Sequence, residues 1–78
     1  MNNLRRTFGK RIRTLRRAKR LTQEALAEQA NISVDFLSLI ERGKNAPSFE
    51  VLERLGKALD VAVAELFRFE KVKENGPH

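Results

Sequence analysis

A chain of 78 residues, 41% hydrophobic and 33% charged, is expected to fold as one globular domain with room for one modest core and none for a deep ligand cavity. It has no cysteine, which excludes disulfides and thiolate metal sites and fits a reducing, cytoplasmic setting. The net charge of +6 is segregated: residues 1–20 carry nine bases and no acid, whereas residues 21–78 carry seven bases and ten acids. A positive end of this kind suits a polyanion partner, with a solvated helix face as the plain alternative. No apolar run approaches membrane-spanning length and no signal-type segment is read, so no membrane role is expected.

Leu4, Phe8, Ile12 and Leu15 recur at steps of four, four and three, which predicts one apolar stripe on a first helix from about Asn3 to Lys19. Its arginines and lysines fill the rest of the circumference. Thr22 is a good cap for a second, short helix whose buried side is Leu26, Ala27 and Ala30. Ser33 opens a third helix, closed by Gly43. Ser48 opens a fourth, with Val51, Leu52, Leu55, Ala58 and Leu59 on its apolar face. Each hydroxyl cap is followed two residues later by an acid (Glu24, Asp35 or Glu50) that complements the helix dipole. Gly56 lies inside the fourth helix at a cost of about 1 kcal/mol, which suggests close approach of another helix. A fifth helix is predicted over Val63 to Phe67, poorly capped at Ala62 with Asp60 helping from outside. Residues 1–70 read as the domain and residues 71–78 as a flexible tail. Strand signals are weak throughout, so the fold class is all-α.

The second and third helices are joined by about three residues, the connection length of a helix-turn-helix over about 22–42. Such a motif needs a small residue where the backbones approach, and Ala27 stands there. Its turn needs a residue that tolerates the left-handed region, and Asn31 stands there. Leu26, Ala30, Ile32, Leu37 and Ile40 supply a shared apolar interior.

The run "LTQEALAEQANISVDFLSLIERGKNAPSFEVLERLGKALDVAVAELF" resembles the Cro/C1-type (XRE-type) helix-turn-helix domain. The most specific stretches are "LTQEALAEQA", "LSLIERGKNAPS" and "LGKALDVAVAELF", and the likeness covers about Phe8 to Phe67. Two departures stand out: Asn31 replaces the usual glycine and Ala62 a frequent serine cap. The resemblance implies a compact five-helix bundle of the lambda-repressor-like DNA-binding type, whose third helix enters the major groove of double-stranded DNA.

A helical wheel at about 100° per residue groups Ser33, Phe36, Leu37 and Ile40 on one side of that helix. Val34, Asp35, Ser38 and Arg42 group on the other, with Leu39 and Glu41 at the flanks. In a groove, Val34 suits a thymine methyl, Ser38 donates or accepts, Arg42 suits guanine or phosphate, and Asp35 suits a cytosine amino group. Asp35 reads equally well as a dipole complement, and a C-terminal dipole partner is the lesser alternative for Arg42. The resemblance implies a phosphate contact at Gln23; Lys44 and Asn45, just after the third helix, are similarly placed, Ser33 is a further candidate, and Arg13, Arg17 and Arg20 add long-range attraction from the end of the first helix. The resemblance also implies a structural salt bridge between Arg16 and Glu41.

One small module reads few base pairs, so a homodimer on an inverted repeat is expected, with Val63, Phe67, Phe69 and Val72 as candidate interface residues. The other reading of the same phenylalanines is closure of the monomer's own core. The sole histidine is His78, and no metal-ligand spacing or phosphate-binding glycine loop occurs. No enzyme activity, cofactor or small-molecule ligand is therefore expected. A transcriptional regulator leads, and an antitoxin-like or adaptor protein on the same fold is the alternative.

Overall fold

The computed structural model describes residues 3–69; Val72 and the tail expected over 71–78 lie outside them. Five helices follow in chain order: α1 (Leu4–Ala18), α2 (Gln23–Gln29), α3 (Val34–Glu41), α4 (Phe49–Leu59) and α5 (Val63–Leu66).

Four of them begin with a side-chain cap. Asn3, Thr22, Ser33 and Ser48 accept from the backbone N–H groups of Arg6, Ala25, Phe36 and Val51 at 3.1, 3.0, 3.0 and 3.2 Å. Each cap satisfies a donor the helix cannot, an interaction of about 1 kcal/mol. α5 has no side-chain cap. Asp60, expected to support it, instead ends α4 in the left-handed region at φ 60°.

The first four helices also stop in one way. Arg20, Asn31, Gly43 and Asp60 each have positive φ. In each case that residue's N–H bonds the carbonyl three residues back: Arg17, Glu28, Ile40 and Lys57. The next N–H, from Leu21, Ile32, Lys44 or Val61, bonds the carbonyl five residues back: Arg16, Ala27, Leu39 or Gly56. This pair of bonds is the Schellman stop, which uses carbonyls the helix leaves free. Its left-handed residue favours glycine, tolerates asparagine and aspartate, and costs other side chains about 1 kcal/mol.

Phe8 and Ile12 of α1, Leu26 and Ala27 of α2, Leu37 and Ile40 of α3, Val51, Leu52, Leu55 and Leu59 of α4, and Leu66 of α5 form the core, together with Ala30. α3 lies between α1 and α2, while α4 closes over α2 and α5 returns to α1. Leu4 departs from the expected stripe, being 54% exposed. It lies one turn before Phe8, whose ring meets that of Phe67 at 5.0 Å and closes the apolar seam there. The approach expected at Gly56 is led by the Val61 carbonyl in the turn after α4, 3.0 Å from where a Cβ would stand, with the Val63 side chain of α5 next at 3.5 Å.

The tight helix crossing lies instead at Gly9. A Cβ there would overlap the Ile40 carbonyl oxygen and stand 2.7 Å from that of Glu41. Both obstacles are backbone, so the helices themselves must separate. Gly9→Ala is expected to destabilise the domain by about 1–3 kcal/mol, seen as a lower Tm in thermal denaturation. An unchanged Tm would mean that α1 and α3 do not cross this closely.

Candidate nucleic-acid interface

α3 is held on its inner side by Leu37 and Ile40, both fully buried. Outward, Asp35 and Arg42 are exposed and Ser38 is half-buried. Val34 is half-buried and packs against the core, so the free face is narrower than the wheel suggested. Its angular position is the margin beside Glu41, and Glu41 is drawn inward. Phe36 and Leu39 are also half-buried. The Ser33 hydroxyl oxygen is occupied as a cap, which leaves its proton free to donate.

The end of α3 is fixed by one carboxylate. Glu41 is 3% exposed and accepts from Arg16 Nε at 2.7 Å and Arg16 Nη2 at 3.0 Å. The remaining Arg16 nitrogen, Nη1, donates to the Leu21 carbonyl at 2.9 Å. Gln23 Nε2 donates to Glu41 Oε1 at 3.0 Å, and Arg13 Nε lies 3.6 Å from the same oxygen. Burial by itself would raise the Glu41 carboxyl. Hydrogen bonds from Arg16 and Gln23 and the charges of Arg16 and Arg13 outweigh it, and the group lies below its ordinary value. The hydrogen bond to Glu41 likewise raises Arg16, against the opposing effect of burial.

This network has a consequence for Gln23. A carboxylate only accepts, so the glutamine must turn its NH₂ toward Glu41. One N–H is used there and the other remains free to donate outward. Gln23 is thus oriented before any ligand arrives, on the first residue of α2. The spacing of sequence positions gave no sign of this bond, nor of Arg13 as a second cation on Glu41.

Beyond α3 the chain turns at Gly43, with φ 77°. A Cβ there would stand 2.8 Å from the Arg6 Cα, so the first turns of α1 abut the loop that carries Lys44 and Asn45. Lys44 is exposed and Asn45 half-buried. Two other bases bind within the fold: Arg11 Nε donates to the Glu65 carbonyl at 2.9 Å, and Arg54 Nε to that of Ala30 at 2.7 Å. By contrast, the side chains of Arg17, Arg42 and Lys44 make no hydrogen bond or ion pair among the described residues.

The candidate interface residues Val63 and Phe67 are 38% and 40% exposed. Phe67 also stacks on Phe8, and Phe69 is half-buried against the core, its ring 6.2 Å from that of Phe67. Beside Val63 an open depression is lined by Gly56, Lys57, Asp60 and Val61. Phe49, at the start of α4, is 82% exposed and was not singled out from the sequence. Its position outside the stripe formed by Val51, Leu52 and Leu55 is the signal that could have marked it. Among the described residues no helix is long and apolar enough to cross a membrane, and no acidic or histidine cluster could hold a metal.

The folded Glu41 carboxyl is depressed, so its contribution to stability is present above the ordinary glutamate range and is lost as pH falls through the folded value. Acid titration of the wild type should therefore lower Tm from about pH 4 downward. Glu41→Gln should lower Tm at neutral pH, by about 3–5 kcal/mol in stability for breaking a buried pair, and flatten the acid limb. Equal acid limbs in the two proteins would remove Glu41 from that role.

A helix-turn-helix domain model matches residues 7–69. The immunity repressor protein of Bacillus phage phi105 is 42% identical over 60 residues, which are 77% of this chain and 42% of the repressor's own length. The control protein C.BamHI of Bacillus amyloliquefaciens is 36% identical over 69 residues, 87% of this chain and 85% of that protein. Among solved structures, the restriction-modification controller protein C.AhdI of Aeromonas hydrophila superposes with a TM-score of 0.78 at 39% identity, covering 80% of this chain and 94% of that one. With α2 and α3 as its central pair, the chain belongs to the helix-turn-helix domains of the Cro/C1 (XRE) type.

Proposed function

We propose that the protein is a sequence-specific transcriptional regulator of the repressor or controller kind, and that it acts by binding DNA rather than by catalysis. One observation carries this reading. α3 is locked by its inner face and by Glu41, yet presents Asp35, Ser38 and Arg42 outward, with Gln23 bonded to its last residue and Lys44 and Asn45 in the loop that follows it. Side chains at a groove floor read bases, while those at its walls meet phosphate. Ser38 and Arg42 are assigned to base edges, with Val34 at the margin and Asp35 meeting a cytosine amino group. Gln23, Ser33, Lys44, Asn45, Arg13 and Arg17 are assigned to the phosphates. The phage repressor and control proteins among its relatives favour the same reading.

A face this narrow reads a few base pairs, too few for useful selectivity by one copy. The reading therefore includes a homodimer on an inverted repeat, its half-sites about one helical turn apart. Val63 and Phe67 are its contact residues, since both retain apolar exposure after the core is closed.

Selection of bound duplexes from a random pool near physiological salt tests the whole reading, with an enriched inverted repeat as the expected result. No enrichment, with binding that vanishes as salt rises, would overturn it. Ser38→Ala and Arg42→Ala should change the enriched sequence or weaken binding while stability stays within about 0.5 kcal/mol of wild type. Val63→Glu should shift the protein to monomer in sedimentation and weaken binding to the paired site more than to a single half-site. A wild-type protein that is monomeric at micromolar concentration and binds as one copy would remove the dimer.

A further inference from the structure

Of the four left-handed helix stops, three hold residues suited to the conformation: Asn31, Gly43 and Asp60. The fourth holds Arg20, at φ 60°. An arginine has neither glycine's freedom nor the short polar side chain that lets asparagine and aspartate bond locally in this region. Local contacts do not offset the strain. Arg20 is exposed, and its side chain makes no hydrogen bond or ion pair among the described residues. Glu24, four residues on and also exposed, forms no pair with it. Glycine would complete the same backbone stop with less strain. What arginine adds at this corner is a free guanidinium.

The position of that charge matters. Arg20 lies in the three-residue corner between the end of α1 and the Thr22 cap of α2, three residues before Gln23. Three residues span at most about 11 Å, so an anion held by the free N–H of Gln23 is within reach of the long arginine side chain. Arg13, 3.6 Å from the carboxylate that orients Gln23, adds positive charge on the same side. Arg17 is exposed one turn before the corner.

We propose that Arg20 is a DNA phosphate-binding residue, kept in a strained left-handed position so that its guanidinium meets the backbone phosphate next to the one taken by Gln23. The proposal rests on the DNA-binding reading above and extends it to a residue whose backbone conformation argues against its presence. A guanidinium on phosphate forms charge-assisted hydrogen bonds that carry no sequence information. It should therefore strengthen specific and mixed-sequence duplexes alike.

The test compares wild type, Arg20→Gly and Arg20→Lys. Tm is measured first. Affinity is then measured against salt, well below every Tm, on the duplex enriched from the random pool and on a mixed-sequence duplex of about 25 base pairs. Arg20→Gly is expected to raise Tm by about 3–5 °C. It should also weaken both duplexes by about tenfold and make the salt dependence shallower by about one unit per subunit. Arg20→Lys keeps the charge and the strained backbone, and should retain the wild-type salt dependence. If Arg20→Gly keeps wild-type affinity and salt dependence on both duplexes, the arginine is a bystander and this proposal falls while the DNA-binding reading stands. If wild type itself binds neither duplex, both fall together.

Discussion

The Glu41 carboxylate joins three helices at one point. It is the last residue of α3, it takes two hydrogen bonds from Arg16 of α1, and it takes a third from Gln23 of α2. A buried ion pair is a weak source of net stability, because desolvation offsets much of the attraction. What it supplies here is direction. Apolar packing at Leu37 and Ile40 presses α3 onto its neighbours but tolerates small rotations. Paired hydrogen bonds to a planar guanidinium do not. The outward side chains of α3 and the free N–H of Gln23 are referred to the same carboxylate, so their spacing is set within the fold.

The fold was largely legible because its signals are local and redundant. Thr22, Ser33 and Ser48 are hydroxyls placed where a helix must begin, and the stripes through Phe8, Leu26, Leu37 and Leu55 have the helical period. Asn31 could be assigned to a left-handed turn because few residues accept one. Positions set by tertiary approach were not legible. Nothing in the pattern says that Gly9 meets the carbonyls of Ile40 and Glu41, since a helical glycine looks the same with or without a neighbour. Gly56 was read as such an approach, and there the turn that follows comes nearer than Val63 of the next helix.

The candidate site divides in the same way. The outward set on α3 follows from angle alone and fails only at its edge, where Val34 turns partly inward beside a buried Glu41. The hydrogen bond from Gln23 to Glu41 joins residues 18 apart, and no period relates them. Arg20 was read only as one of three arginines adding attraction at the end of the first helix, and its left-handed backbone was not legible. Arginine in a left-handed stop has no sequence signature, because residue preference argues against it there.

The connection between α2 and α3 limits how this surface can change. Asn31 and Ile32 spend their N–H groups on the stop of α2, and Ser33 spends its hydroxyl oxygen on the cap of α3. No residue in the connection is idle. One inserted residue would have to break the stop or the cap, or be taken up by α3. In the last case the chain beyond it would turn by about 100° on the helix axis, carrying Ser38 toward the core and an apolar neighbour toward solvent. New DNA preferences can therefore arise by exchanging side chains at fixed positions, whereas changes in length are closed to this segment. The diversity open to it lies in residue identity, with its spacing as a fixed frame.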